Sequence, residues 1–466
     1  MRRLPAIPPT LDTLLGSLGP VPGELMEKSV PAALGWLRDQ VPLPTVRGRY
    51  LHWDELRRRP PPDGLTREEW WFGLKLARGR GTTVPGMRAV NGQERFSVAT
   101  TVGNLQAQLH MLDMRAAGSI RAPGPLQDAA SKQQYLLRSM IEEAISSSII
   151  EGASSTREVA RRMLREGRAP RDRSERMIVN NYVTMQRIAE LTEEPMSEKL
   201  LLELHALVTT GTLDNPDAVG RMRTEADPEI AVVSPEGFVA HEPPPPRELP
   251  ARLLAMLAFA NSDAQEPFVH PVVRSIILHF WLAYDHPFVD GNGRTARALF
   301  YWSMLHHGYW LLQYVSISEF IARAPMRYAR AFLHTETDDF DLTYFVLHQL
   351  DVLERAIDAL HIYLDQSVQR TQAAELSLDD VDGLNHQQRS LLAAAIRRPS
   401  ETFTTEGHRR THGITYPTAH ADMKGLMALG LVTRRRVGKQ YRYRAVPGLT
   451  EQLRALGQEH TAARSQ

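Results

Sequence analysis

The chain has 466 residues, 42% of them hydrophobic and 23% charged, with a net charge of +1 at neutral pH. That length predicts two to four domains, and the composition is that of a folded globular protein rather than a disordered or fibrous one. There is no cysteine, which excludes a disulfide framework, a thiol nucleophile and a cysteine-based zinc site. Met1-Arg2-Arg3-Leu4-Pro5 has no apolar run behind its arginines, and the most apolar stretch, Ser275 to Tyr284, is too short to span a bilayer. The expectation is a cytoplasmic protein without membrane association.

Residues 1–115 mix short apolar pieces, such as Glu68-Glu69-Trp70-Trp71-Phe72, with Pro/Gly/Arg-rich stretches, and read as a loop-rich region of unassigned role. From Leu126 the pattern turns helical. Leu137, Ile141, Ile145 and Ile149 recur every four residues and predict a buried helix face. Further helices are predicted at Glu175 to Leu191 and Ser197 to Val208. Between Gly220 and Pro246 the rhythm breaks: Ile230 to Val233 and Phe238 to Ala240 flank Ser234-Pro235-Glu236-Gly237, which predicts a short β-hairpin. Helices resume to about Gln369, interrupted near Asp285 to Gly293 and Glu336 to Asp341. The expected division is an N-terminal region at 1–115, a helical domain at 116–370, an acidic linker at 371–383, a C-terminal domain at 384–448 and a tail at 449–466.

The chemistry concentrates in His286-Pro287-Phe288-Val289-Asp290-Gly291-Asn292-Gly293-Arg294-Thr295-Ala296-Arg297, a tight loop between two helical patterns. Gly291 and Gly293 allow close backbone approach, and amides at a helix start form an anion site. Arg294 and Arg297, three apart, are expected to face one anion. Asp290 is a hard oxygen ligand suited to Mg²⁺ carried on phosphates. His286 can accept a proton from an attacking hydroxyl. Taken singly, such a histidine, glycine pair or arginine pair is more often structural; together, the eight specified positions within twelve outweigh that reading.

This stretch resembles the core motif of the Fic (Fido) family, His-x-Phe-x-(Asp/Glu)-Gly-Asn-Gly-Arg-x-x-Arg. The likeness runs from about Ser131 to Gln369 and includes Gly220-x-x-Arg223, His270-Pro271 to His279-Phe280, and Ser316-Ile317-Ser318. It implies a mainly α fold, an all-helical domain carrying a β-hairpin flap. It also implies transfer of AMP from Mg-ATP to a Ser, Thr or Tyr hydroxyl of a target protein or of the chain itself. On that resemblance His286 is the general base, and Asp290 holds Mg²⁺. Gly291, Asn292 and Gly293 cradle the phosphates, Arg294 and Arg297 bind the β- and γ-phosphates, Tyr328 lies near the adenine, and Val232 and Val233 belong to the flap. Ser147-Ser148-Ile149-Ile150-Glu151-Gly152 matches the family's inhibitory motif, which implies that Glu151 pairs with Arg297 in place of the γ-phosphate.

Arg397 to Arg444 holds eleven Lys/Arg and three acids. Thr411 to Leu426 reads as a turn and a helix, and Gly430 to Tyr443 as a two-stranded wing with a basic tip at Arg434-Arg435-Arg436 and Lys439. This resembles a winged helix-turn-helix, which implies either DNA binding or use as a surface for homodimerisation and target docking. The alternative function is therefore a DNA-binding regulator whose Fic domain senses nucleotide or removes AMP.

Overall fold

The structure is a computed structural model. It describes residues 4–10, 35, 39, 43–117, 129–376, 378 and 381–456, except 80, 91, 93–94, 235–236, 263–266, 382, 398–400, 438–439 and 454. The turn residues Pro235 and Glu236, Lys439 at the wing tip and most of the 449–466 tail lie outside the described residues, as do parts of the N-terminal region and the acidic linker. The chain divides into two compact units, residues 1–120 with 137–357, and residues 121–136 with 358–466.

In the first unit the N-terminal segment is more ordered than its composition implied. It forms α1 (Trp53–Leu56), α2 (Arg67–Arg78), the hairpin β1 (Thr82–Arg88) and β2 (Arg95–Val98), and α3 (Leu105–Ala116). Thr66 and Glu69 close a capping box at the start of α2, satisfying amides that the helix itself cannot. Trp53, Trp70 and Trp71 bury against Leu51, Leu56 and Leu74, so tryptophans supply the core that short elements otherwise lack.

The helical body follows as α4 (Ala129–Ile150), α5 (Arg157–Glu166), α6 (Arg173–Glu190), α7 (Glu198–Thr209), β3 (Val232–Val233), β4 (Val239–His241) and α8 (Leu249–Ala260). It continues through α9 (Pro271–Asp285), α10 (Asn292–His306), α11 (Ile317–Arg323), α12 (Pro325–Thr337) and α13 (Thr343–Leu376). On α4 the apolar face begins at Ile141, with Ile145 and Ile149 packed toward Ala160, Met163 and Ile178. Leu137, expected on that face, is exposed.

Helices α9 and α10 pack together at the centre, with α6 and α7 against α10 and α8 against α9. Val272, Val273, Ile276, Ile277, Phe280 and Trp281 are all buried. A helix apolar on every side has to be enclosed by others, which fixes α9 in the middle of the domain. His270 caps it and Pro271 occupies its first turn. Among the described residues no helix is long and apolar enough to cross a membrane.

The second unit contains α14 (His386–Arg397), α15 (Thr405–His412), α16 (Tyr416–Ala428), β5 (Val432–Val437) and β6 (Gln440–Ala445). Strands β5 and β6 pair antiparallel from Val432 opposite Ala445 to Val437 opposite Gln440, and Phe403 bridges to Tyr443. Leu391, Leu392, Met423, Leu426, Leu431 and Tyr443 form its core.

Candidate active site

Helix α9 stops at His286, which adopts a left-handed backbone with φ +47°. A non-glycine residue held there stores strain of about 1–3 kcal/mol, which only surrounding contacts can sustain. Arg223 supplies them. Its Nε donates to the His286 carbonyl at 2.8 Å, its backbone N–H donates to the Pro287 carbonyl at 2.9 Å, and its guanidinium also donates to the Pro244 carbonyl. The loop is then anchored by Phe288, fully buried and stacked on His205 at 3.8 Å; burying such a side chain contributes about 1.5–3 kcal/mol.

The His286 ring has a defined tautomer. Its Nδ1 lies 3.1 Å from the Ala283 carbonyl, which can only accept, so Nδ1 carries the proton and Nε2 keeps its lone pair. Burial pushes its pKa down to about 4, against the raising effect of the Ala283 bond. The ring is neutral at physiological pH and can receive a proton.

Gly291 caps α10 with φ +84° and no side-chain hydrogen bond. A Cβ there would sit 2.5 Å from Thr209 Cγ2, so glycine is required both by conformation and by space. The first amides of α10 have no intrahelical acceptor and form a positive helix end. Asn292 does not direct its side chain to that end. Its Oδ1 accepts from the Phe288 N–H at 2.9 Å and its Nδ2 donates to the Phe288 carbonyl at 2.8 Å, bracing the loop internally.

The two arginines separate. Arg294 is buried and donates to the Val208 carbonyl at 2.8 Å, with its Nη2 3.7 Å from Asp290. Arg297 reaches α4: its Nε donates to Ser147 Oγ at 2.9 Å and its Nη2 to the Ser147 carbonyl at 3.0 Å and Glu151 Oε1 at 2.9 Å. Burial works against the charge on Arg297, but Glu151 beside it raises its pKa overall. Arg297 Nη1 and Arg294 Nε are buried without a hydrogen-bond partner. The Glu151 carboxylate lies so close over Gly293 that a methyl group added there would overlap Oε1. Gly152, at φ +89°, follows directly after that turn. Ser147 thus engages the arginine rather than the glutamate, and Glu151 occupies the space over the helix end.

Asp290 is 45% exposed at its side chain, 3.6 Å from Arg173, and its Oδ1 accepts from the Gly291 N–H. Among the described residues no three His, Asp or Glu side chains gather to hold a metal by themselves. Asp290 alone, a half-exposed hard oxygen, fits a cation that keeps its waters and arrives on phosphates. Tyr328 packs beside Arg297 and lies 2.8 Å from His279 Nε2, its phenol pushed up to about 12 by burial. In the β3–β4 hairpin, Val232 pairs with His241 and Val233 with Val239. His241 is held by Glu336 and the Tyr284 carbonyl, each at 2.7 Å. An open cleft of about 550 Å³ adjoins β4, lined by Ala89, Val90, Val239, His241, Tyr284 and Glu336.

His205 carried no signal in the sequence because it sits among leucines on α7, where a histidine reads as packing. Its Nδ1 accepts from the Gly220 N–H at 3.1 Å, so its Nε2–H donates to the Asp290 carbonyl at 3.0 Å. It ties the Gly220 turn to the loop.

At the centre of the unit, then, a tight glycine-containing loop joins the buried helices α9 and α10. Residues 195–304 match the family model described as Fic/DOC family, and this stretch is a Fic/DOC domain. The protein adenylyltransferase Fic of Nematostella vectensis is 42% identical over 67 residues, covering 14% of this chain and 16% of that protein. The protein of the same name from Drosophila mojavensis is 39% identical over 69 residues, 15% of this chain and 14% of its own. The chain thus spans about one seventh of the length of the curated relatives it matches. A Fic family protein from Desulfovibrio desulfuricans G20 aligns over 74% of this chain and 95% of its own, at 22% identity and a TM-score of 0.49. Fic-1 from C. elegans aligns over 56% and 73% respectively, at 21% identity and a TM-score of 0.40.

Proposed function

We propose that the first unit transfers AMP from ATP to a Ser, Thr or Tyr hydroxyl, on a target protein or on itself, and rests in a state held down by Glu151. The observation that carries this reading is the position of the Glu151 carboxylate, bonded to Arg297 and lying over Gly293 at the amide end of α10. An anion site plugged by an internal anion, with a neutral histidine on the same loop, fits a phosphate-transfer site in its resting form.

In the reaction, the acceptor oxygen bonds to the α-phosphorus, the bond to pyrophosphate breaks, and the hydroxyl proton passes to His286 Nε2. Asp290 would hold Mg²⁺, which neutralises phosphate charge when bound. The α10 amides with Arg294 and Arg297 hold the phosphates in line, the kind of positioning on which phosphoryl chemistry depends. The flap edge at Val232 and Val233 and the adjoining cleft would align the acceptor segment. Labelled ATP tests the reading: AMP should appear on protein once Glu151 is removed.

The second unit supports a second reading, nucleic-acid binding. The order α14, the Phe403 bridge, α15, α16 and the β5–β6 pair fits the reading of this unit as a winged helix-turn-helix. Two acids near that surface are engaged internally: Glu406 bonds Arg409 and Arg410, and buried Asp422 bonds His408 and Asn385. Tyr416, His420 and Lys424 on α16 and Arg434, Arg435 and Arg442 on the wing stay exposed, a surface suited to duplex phosphates. If duplexes do not bind, the same face serves a second copy of the chain or a docked target.

A further inference from the structure

Glu143 is a buried carboxyl, 2% exposed, in the middle of α4. Its Oε2 accepts from Tyr301 Oη at 2.8 Å, Ser316 Oγ at 2.9 Å and the Ser318 N–H at 3.0 Å, and its Oε1 accepts from Ser318 Oγ. Tyr301 is on α10 and Ser316 and Ser318 open α11, so one side chain clamps α4 to two other helices. Tyr301 in turn accepts from the Ile317 N–H at 2.9 Å, and its one hydroxyl proton lies between Glu143 and the Val315 carbonyl, 3.0 Å away, so every member of the clamp has a partner, the condition under which a buried polar network rigidifies its surroundings.

The clamp has a fixed relation to the site. Glu143, Ser147 and Glu151 are spaced by four, as are Gly293, Arg297 and Tyr301, and i, i+4 rows share a helix face. The rows meet rung by rung in opposite directions: Glu143 with Tyr301, Ser147 with Arg297, and Glu151 with Arg297 and Gly293. The Glu151 plug is the last rung, in the turn that follows α4, and one carboxylate bonded to an arginine does not by itself fix where a helix lies. The first rung is wholly buried, and its Glu143 carries four bonds in all, one to Tyr301 on α10 and three to Ser316 and Ser318 at the start of α11.

We propose that Glu143 is the positioning residue of the resting state: its clamp on Tyr301, Ser316 and Ser318 sets the register of α4 on α10 and thereby holds Glu151 over the phosphate site. This rests on the reading of Glu151 as a brake. Glu143 touches neither nucleotide nor acceptor and acts only through where it seats the helix. Movement of the α11 start, which shares the clamp, would release the brake at a distance.

The test uses the full chain with labelled Mg-ATP and four variants: Glu143→Gln, Tyr301→Phe, Glu151→Gly, and Glu143→Gln combined with Glu151→Gly. Hydrogen exchange across residues 143–152 is the second readout. Gln keeps the volume but loses the charge, and hydrogen bonds to an ionised acceptor are about twice as strong as neutral ones. Glu143→Gln should therefore raise AMP labelling by roughly three- to tenfold over wild type and speed exchange at 143–152, but not at α7; a shift of that size corresponds to losing about one such bond. Tyr301→Phe, which removes one bond to Glu143 and also the acceptor of the Ile317 N–H, should act in the same direction. In the Glu151→Gly background Glu143→Gln should add nothing, because the plug is already gone. The proposal is overturned if folded Glu143→Gln and Tyr301→Phe proteins stay as unlabelled as wild type while Glu151→Gly labels. It is equally overturned if the double variant labels far less than Glu151→Gly, which marks Glu143 as mere support. If Glu151→Gly itself stays unlabelled, the transfer reading falls, and the clamp stands or falls on the exchange at 143–152 alone.

Discussion

Replacing Gly291 by alanine isolates the backbone end of α10 from every charged group around it. Two costs can be separated. The left-handed φ of +84° costs a non-glycine residue about 1–2 kcal/mol. The new Cβ would meet Thr209 Cγ2 at 2.5 Å, an overlap relieved only by moving α7 or the loop, at about 1–3 kcal/mol. Thr209 is not free to turn, because its Oγ1 donates to the His205 carbonyl at 2.6 Å, and His205 itself holds the Asp290 carbonyl. The displacement should therefore pass in part into the loop amides; if about half of the combined ~2–5 kcal/mol reaches them, ATP affinity should fall by roughly five- to seventyfold, since 1.4 kcal/mol is a factor of ten. The assay is calorimetric titration of ATP in a Glu151→Gly background, where the site is open. Thr209→Ser, which keeps the hydroxyl and removes Cγ2, should restore the steric share but not the conformational one. Gly291→Ala binding ATP as tightly as glycine, or no recovery with Thr209→Ser, would refute the argument.

His286→Ala should lower transfer by about 10²–10⁴-fold while leaving calorimetric ATP affinity within about threefold, because the proposed phosphate site is α10 and not this ring. The His286 pKa of about 4 places the acid limb of the transfer rate near pH 4 to 5 rather than near 6.5; a limb at 6.5, measured with a pH-stable acceptor, would contradict the assigned tautomer and burial. His52 and His334 at about 3, and His205 and His348 at about 4, sit below their unfolded value near 6.5. The unfolded chain thus binds more protons, and stability should be full above pH 6.5 and decline as pH falls toward 4, read as denaturation midpoints. Alanine at Arg434, Arg435 and Arg442 together should weaken duplex binding and flatten its dependence on salt by about three charges' worth; no duplex binding by wild type at low salt would turn the reading toward dimerisation or docking.

What the sequence carried was local. The 286–297 loop was legible because its helix stop, glycines and helix start follow one another along the chain, and the hairpin showed itself through Gly237 and the valines beside it. Contacts closed over long separations were not legible. His205 lies 85 positions from the carbonyl it supports, and Glu143 is 158 positions from Tyr301; each reads locally as a polar residue on a packed helix. Arg294 and Arg297 show what spacing leaves out: three apart on α10, they give no sign that the Val208 carbonyl takes one donor of the first while Ser147 and Glu151 take donors of the second. Asn292 turned inward for a similar reason, since the Phe288 N–H and carbonyl are buried and need partners.

The most direct measurement is AMP incorporation by wild type, Glu151→Gly, and Glu151→Gly combined with Arg297→Ala, at saturating Mg-ATP. Most substitutions near a site reduce activity, so a gain is diagnostic. Glu151→Gly should label well above wild type, because Arg297 and the α10 amides are freed for the γ-phosphate, and removal of Arg297 should take most of that gain away. A folded Glu151→Gly protein that labels no more than wild type, with itself and candidate targets as acceptors, would contradict the proposal that this carboxylate occupies the phosphate site of a transferase.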